Sequence, residues 1–309
     1  MHFYDTVCTK RFCHLISIKY LTSVLFLYFE MEKRILLTEC SDDIGLIAKI
    51  TNCCFNHHLN VIRQDQFASA EDHKFFMRSV LEGDFFYADR FIADVKSVLP
   101  EGAKVRLADN HRRRLCILVT KESHCLGEIL MKTYAGALNA DIVGVVGNYS
   151  ELSELVRKFN VPFTLVSHEG ISREEQEKRL MEVIDRLECD YVILAKYMRI
   201  LSHEFVSHYP LGKLINIHHS FLPAFMGAKP YQQAFDRGVK IIGATAHFVT
   251  DNLDEGPIIE QDVIKVNHRY DPKSLAKAGH DVEQMVLMRA ISKIIDDKVF
   301  IHGNKTVVF

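Results

Sequence analysis

Leu115-Cys-Ile-Leu-Val-Thr120 is a short run of apolar and β-branched residues with no polar alternation, and its reading decides the fold. A strand that is apolar on both faces belongs inside a sheet covered on both sides. The same kind of run recurs at Ile142-Val-Gly-Val-Val-Gly147, Phe163-Thr-Leu-Val166, Tyr191-Val-Ile-Leu-Ala195 and Lys213-Leu-Ile-Asn-Ile217. Amphipathic stretches such as Ser172 to Leu187 separate several of them. Strands alternating with helices predict an α/β domain with a Rossmann-like, mainly parallel sheet. Ligands of such sheets bind beyond the carboxyl ends of the strands, so the residues after Ile215 are the first place to look for a site.

Toward the N-terminus the pattern is different. Arg34-Ile-Leu-Leu-Thr-Glu-Cys-Ser41 reads as a strand, and Asp42-Asp43-Ile44-Gly45 as a turn opening a helix, with the acids placed to meet its N-terminal dipole. Leu46, Ile47, Ile50, Cys53 and Cys54 recur at helical spacing, and Asn56-His57-His58 ends the helix. Asn60 to Phe67 and Lys74 to Glu82 alternate like hairpin strands. A helix from about Phe85 to Val98 and a strand from Ala103 to Leu107 follow. The order βαββαβ predicts a ferredoxin-like unit over residues 32–109. Residues 110–114, part of the polar stretch Asp109-Asn110-His111-Arg112-Arg113-Arg114, read as a solvated linker. The second domain then covers 115–309.

Two domains suit 309 residues. A formal net charge of −2 gives no global attraction to nucleic acid or to an anionic membrane, so the three arginines argue for a hinge and not for a nucleic-acid patch. The cysteines Cys8, Cys13, Cys40, Cys53, Cys54, Cys116, Cys125 and Cys189 make no Cys-x-x-Cys pair and sit mostly in apolar runs. That usage predicts a reducing, cytoplasmic setting. Tyr20 to Phe29 is apolar and follows Lys10, Arg11 and Lys19, as in a signal peptide, but it is too short to span a bilayer and lacks a small-residue cleavage site. Residues 1–31 are expected to be an extension outside the functional domains.

The chemistry concentrates where the last parallel strand ends, at Asn216-Ile217-His218-His219-Ser220-Phe221-Leu222-Pro223. Alternation on an extended segment puts Asn216 and His218 on one face and Ile217 in the packing. An amide can stabilise a carbonyl oxygen that is gaining charge, and an imidazole can move the proton. Alone, Asn-x-His is a weak signal, and a structural histidine that caps a strand is the better reading of it. The second segment, Gly243 to Ile259, carries His247 on a strand and then the acidic loop Asp251-Asn252-Leu253-Asp254-Glu255-Gly256-Pro257. Asp254 could reach back to His218 and keep its imidazole protonated near neutral pH, or the loop could be a turn bonded to its own backbone.

Asn-x-His-x-Ser followed by Asp-x-Leu-Asp-x-Gly-Pro resembles the folate-dependent formyltransferases, over roughly Arg114 to Phe309. The resemblance implies that Asn216, His218 and Asp254 are catalytic and that His247 supports them. It also implies that the segment Tyr197-Met198-Arg199-Ile200-Leu201 lines a pteridine pocket, with Asp251 on the substrate side. In that family a Gly-Asn-Gly-Ser-type loop holds the acceptor's phosphate, whereas the matching Thr120-Lys121-Glu122-Ser123-His124-Cys125-Leu126-Gly127 lacks the paired glycines and carries a glutamate. The βαββαβ unit with Asp43, Ile44 and Gly45 resembles an ACT domain, a module that often binds amino acids.

Together the two halves, with Ala195-Lys-Tyr-Met-Arg199, Ile217-His-His-Ser-Phe-Leu-Pro-Ala224 and Gly227-Ala-Lys-Pro-Tyr231, resemble the formyltetrahydrofolate deformylases from about Glu32 onward. That resemblance implies hydrolysis of 10-formyltetrahydrofolate to formate and tetrahydrofolate, with water as acceptor and no metal or nucleotide cofactor. It implies a supply of formate for purine biosynthesis and a balance of one-carbon folate pools. An amino-acid effector at Asp43–Gly45 and a homo-oligomer are further expectations, with no nucleic-acid or membrane partner. Three rivals are weighed: a formyltransferase with another acceptor, a sensor that only binds folate, and a metal hydrolase using His218, His219 and His247. Adjacent strand histidines should face opposite ways, which speaks against the last. His219 is expected to bond locally, and Lys229 to meet the folate tail or solvent. The closing segment reads as two short strands about a Gly-Asn turn.

Overall fold

A computed structural model describes residues 31–109, 111–223 and 230–309. The extension read at the N-terminus, with Cys8 and Cys13, lies outside the described residues apart from Met31. So do Asn110 and the Ala224 to Lys229 stretch that contains Gly227. The chain divides after residue 110 into two compact units.

The first unit runs β1 (Glu32–Ser41), α1 (Leu46–Asn56), β2 (Asn60–Ser69), β3 (Lys74–Gly83), α2 (Ala88–Ser97) and β4 (Lys104–Ala108). Its antiparallel sheet has the order β2-β3-β1-β4, the ferredoxin-like arrangement expected from the sequence. Leu36, Phe75, Met77 and Leu81 of the sheet pack with Ile50, Phe91 and Val95 of the helices. The acids before α1 act differently from the expectation. Gly45, at φ 82°, is the residue that opens the helix, so no acid falls in the first turn. Asp43 instead accepts a hydrogen bond from the Ile44 N–H at 2.8 Å. Ile44, 93% exposed, stands out at the tip of that turn.

The second unit runs β5 (Arg113–Val119), α3 (His124–Tyr134), β6 (Ala140–Gly147), α4 (Ser153–Arg157), β7 (Phe163–Leu165), α5 (Arg173–Arg186) and β8 (Tyr191–Leu194). It continues through α6 (His203–His208), β9 (Leu214–His218), α7 (Pro230–Asp236), β10 (Ile241–Phe248), β11 (Ile258–Lys265) and α8 (Pro272–Ile295). A hairpin of β12 (Val299–His302) and β13 (Lys305–Val308) closes the order, as the Gly-Asn turn predicts. The large sheet has the order β11-β10-β9-β8-β5-β6-β7, parallel from β9 to β7 and antiparallel where β10 meets β9 and β11. Ser172 and Asp271 cap α5 and α8 by accepting backbone N–H bonds from Glu175 and Ser274, which fixes where these helices start. The fully buried Leu115 and Ile117 on β5, Ile215 on β9 and Val286 and Ile291 on α8 belong to one core beneath the site.

The arginine run is not all linker. Arg113 and Arg114 are the first residues of β5. Arg113 is buried, and its Nη2 lies 2.7 Å from Oδ2 of the buried Asp297. A guanidinium can enter the interior when a carboxylate meets it there, and local composition does not announce a partner so distant in sequence. Among the described residues, no helix is long and apolar enough to cross a membrane. Cys40, Cys53, Cys54, Cys116, Cys125 and Cys189 are buried free thiols.

Candidate active site

The chain leaves β5 to form β6 and β7 on one side and returns to place β8 and β9 on the other. Such a reversal opens a crevice at the carboxyl ends of the central strands. A cavity of about 300 Å³ lies there, lined by Asn216, His218, His247, Asp251 and Asp254 and by the whole segment Met198 to Leu201. The sequence singled out each of these residues. Tyr197, the first residue of the expected pocket segment, lines it too; Leu194, Lys196, Val206, Val249 and Leu253, which line the same cavity, were missed.

The reacting side is built on two paired strands. Thr245 of β10 faces His218 of β9, and His247 faces Asn216, so cross-strand register fixes their spacing. His247 Nδ1 donates to the Phe248 carbonyl at 2.9 Å, which leaves Nε2 as an acceptor. The atom of Asn216 at 3.2 Å from that Nε2 is therefore its amide nitrogen. An amide nitrogen carries two hydrogens, and the second is left for the cavity. Asp254 Oδ2 lies 3.2 Å from His218 Nδ1, while its Oδ1 is 3.7 Å from His247 Nε2. His218 Nε2 is buried and has no hydrogen-bond partner, the kind of unsatisfied nitrogen that marks a place for a reacting group.

Asp254 sits at φ 58°, in the left-handed region that non-glycine residues avoid. Two features hold it there. The Phe248 N–H donates to the Pro257 carbonyl at 2.9 Å, and Gly256 passes so close to the Phe248 carbonyl that a Cβ would overlap it. Burial alone would push the Asp254 carboxyl up. The His218 contact outweighs burial and holds Asp254 well below the usual carboxylate range.

The other wall is a loop tied at several points. The Met198 N–H donates to Thr120 Oγ1 at 2.9 Å, Arg173 Nη2 to the Ile200 carbonyl at 2.8 Å, and the Ser202 hydroxyl bonds Glu177. Met198 and Ile200 remain more than half exposed, an apolar lip over a polar floor. Beyond β9 the chain turns, and the expectation that adjacent histidines face opposite ways is corrected. The rings of His218 and His219 are stacked, with centroids 5.1 Å apart and 21° between planes. The reason is that β9 ends at His218, so strand alternation stops there. Burial first, then the charges of Lys196 and His218, pushes the His219 imidazole down to about 4. Asp43, Ile44 and Gly45 belong to the first unit.

A sheet of this order with an amide, an imidazole and a carboxylate converging at its carboxyl edge defines the formyl-transfer class of proteins, and the formyl transferase family profile matches residues 113–291. Formyltetrahydrofolate deformylase from Haemophilus influenzae is 56% identical over 278 residues, covering 90% of this chain and 99% of that one. The crystal structure of a formyltetrahydrofolate deformylase from Pseudomonas syringae superposes with a TM-score of 0.86 at 34% identity, covering 94% of this chain and 99% of that one. Glycinamide ribonucleotide transformylase 1 from Symbiobacterium toebii matches at a TM-score of 0.62 and 27% identity, over 68% of this chain and all of its own. The chain belongs to the formyltetrahydrofolate deformylase family.

Proposed function

We propose that this chain hydrolyses 10-formyltetrahydrofolate to formate and tetrahydrofolate, with Asn216, His218 and Asp254 as the catalytic groups. The observation that carries the reading is the convergence of an amide donor, a partnerless imidazole nitrogen and an ionised carboxylate on one cavity, in a chain whose relatives are deformylases. A water oxygen attacks the formyl carbon, the C–N10 bond breaks, and N10 takes up a proton. The second N–H of Asn216 stabilises the oxygen as it gains charge. Asp254 holds His218 through Nδ1, leaving Nε2 to carry the proton from water to N10. No metal or nucleotide cofactor is needed, because the formyl group is already activated on an aryl-amine nitrogen. The segment Met198 to Leu201 receives the pteridine, and Asp251 stands on the same side.

The transferase alternative is less favoured, because the relatives that match nearly the whole chain are deformylases, whereas the transformylase matches 68% of it. In this reading the enzyme works in the cytoplasm, supplies formate for purine biosynthesis and balances one-carbon folate pools. The ferredoxin-like unit acts as an ACT module that binds an amino-acid effector at the Asp43–Gly45 turn and pairs chains into a homo-oligomer.

The decisive assay measures formate from 10-formyltetrahydrofolate with no acceptor amine and with a chelator present. Formate and tetrahydrofolate in equal amounts are expected, and Asn216→Ala should lower kcat by about 100- to 1,000-fold, the usual loss for one oxyanion donor. Formate production that required an added amine or metal, or an Asn216→Ala variant with unchanged turnover, would overturn the reading.

A further inference from the structure

The segment Tyr197 to Leu201 walls the cavity without belonging to a helix or a strand, and it carries Met198 and Ile200 more than half exposed. Apolar side chains on an unsupported loop gain by folding inward, so such a wall keeps its place only if its backbone is held. The holding is done by one face of α5. Arg173, Gln176 and Glu177 stand at i, i+3 and i+4 and therefore lie side by side on that helix.

Each of the three reaches a different point of the wall. Arg173 Nη2 donates to the Ile200 carbonyl at 2.8 Å. The Gln176 amide donates to the Tyr197 hydroxyl and to the Val166 carbonyl, both at 3.3 Å. Glu177 Oε1 accepts from the Ser202 N–H at 3.0 Å and from Arg173 Nε at 3.1 Å, and its Oε2 accepts from the Ser202 hydroxyl. The same Ser202 oxygen accepts from the Phe205 N–H at 3.1 Å, so one hydroxyl closes the loop and opens α6. Gln176 and Glu177 are buried, where an amide and a carboxylate cost stability unless fully bonded. An apolar face would pack there without that cost, so the polar face is explained by the loop it fixes. Among the described residues that line the cavity, none of the three appears.

We propose that Arg173, Gln176 and Glu177 are positioning residues, which hold the wall in its ligand-receiving shape before substrate arrives and so set substrate affinity without entering the chemistry. The inference rests on the hydrolase reading above, which gives the wall its ligand. A loop that has to be ordered by its ligand charges that ordering against binding, whereas a loop ordered by the fold does not. The wall is separate from the Asn216, His218 and Asp254 side chains, so loosening it weakens binding of substrate and transition state alike and appears in KM.

The test is a comparison of two ion pairs on one helix in the full chain. Arg179 and Glu175 of α5 form a pair with the same four-residue spacing, at 2.8 Å, at the surface. If the Arg173–Glu177 pair only stabilised α5, its loss and the loss of Arg179–Glu175 would look alike. Arg173→Ala, at an exposed residue, and Glu177→Gln, which keeps the side-chain shape, should each raise KM for 10-formyltetrahydrofolate at least about fivefold and leave kcat within about twofold. Calorimetry should show the Kd of the product tetrahydrofolate rising in parallel, and Arg179→Ala should change none of these values. KM and Kd unmoved in both folded variants, a loss confined to kcat, or an equal rise in Arg179→Ala would overturn the positioning role while leaving the hydrolase reading intact. Absence of formate from the unaltered chain sinks the hydrolase reading, and calorimetry then decides the positioning role by itself. Tetrahydrofolate bound by the unaltered chain and more weakly by the two variants sustains it; equal binding, or no binding by any of them, ends it.

Discussion

Burial works against Asp254 and Glu283 alike, because a carboxylate taken from water loses its solvation and favours the neutral form. Each stays ionised through its neighbours. For Glu283 the hydrogen bond from His124, the charge of Lys196 and the Tyr231 hydroxyl outweigh burial and push the carboxyl down to about 2. A carboxyl lower in the folded chain than in the unfolded one stabilises the fold above its unfolded value near 4.5, and that contribution drains away as pH falls toward 2. The shift corresponds to about 3 kcal/mol. Glu283→Gln should therefore lower the melting temperature clearly at pH 7 and much less at pH 3; an equal loss at both pH values would refute the account. Sequence alone pointed to Asp254 because it lies in a loop of acids next to Gly-Pro. Glu283 was missed, although it interrupts the buried stripe of α8 between Gly279 and Val286, a carboxylate on an apolar face that demands a partner. Lys196, directly after a buried strand, gave a similar signal.

The elements were easier to read than the contacts between them. Strands such as Tyr191–Leu194 and Leu214–His218 fall within a residue or so of the apolar runs, since burial on both faces leaves no other composition. What local pattern could not supply was the end of alternation after His218 or the partner of Arg113. The β10–β11 connection shows how an element sets a site. Asp254 takes its strained backbone because Gly256 lets the loop lie against the Phe248 carbonyl. Gly256→Ala should swing that loop outward, lowering kcat at least tenfold while the far-UV circular dichroism spectrum stays native. Unchanged turnover would show that the close approach is not what places Asp254.

At the scale of the molecule, the two units bring different capacities to one chain. The first offers an exposed turn at Asp43, Ile44 and Gly45, and the second holds the cavity. If the turn receives an effector, isothermal calorimetry of the full chain should detect one amino acid binding at millimolar concentration or below, and Asp43→Ala should abolish that heat without altering basal formate release. Silence across the common amino acids would remove the sensor from the account. The second unit also carries its own indicator of integrity. Arg113 begins β5 and is held inside by Asp297, 184 residues along the chain. Trypsin cleaves after arginine only where the backbone can leave its sheet, so the bond following Arg113 is sheltered while that ion pair and strand persist. The bond after Arg113, unlike the one after the exposed Arg112, is thus a concealed cleavage point, and the rate at which protease cuts there counts the molecules whose catalytic unit has come open.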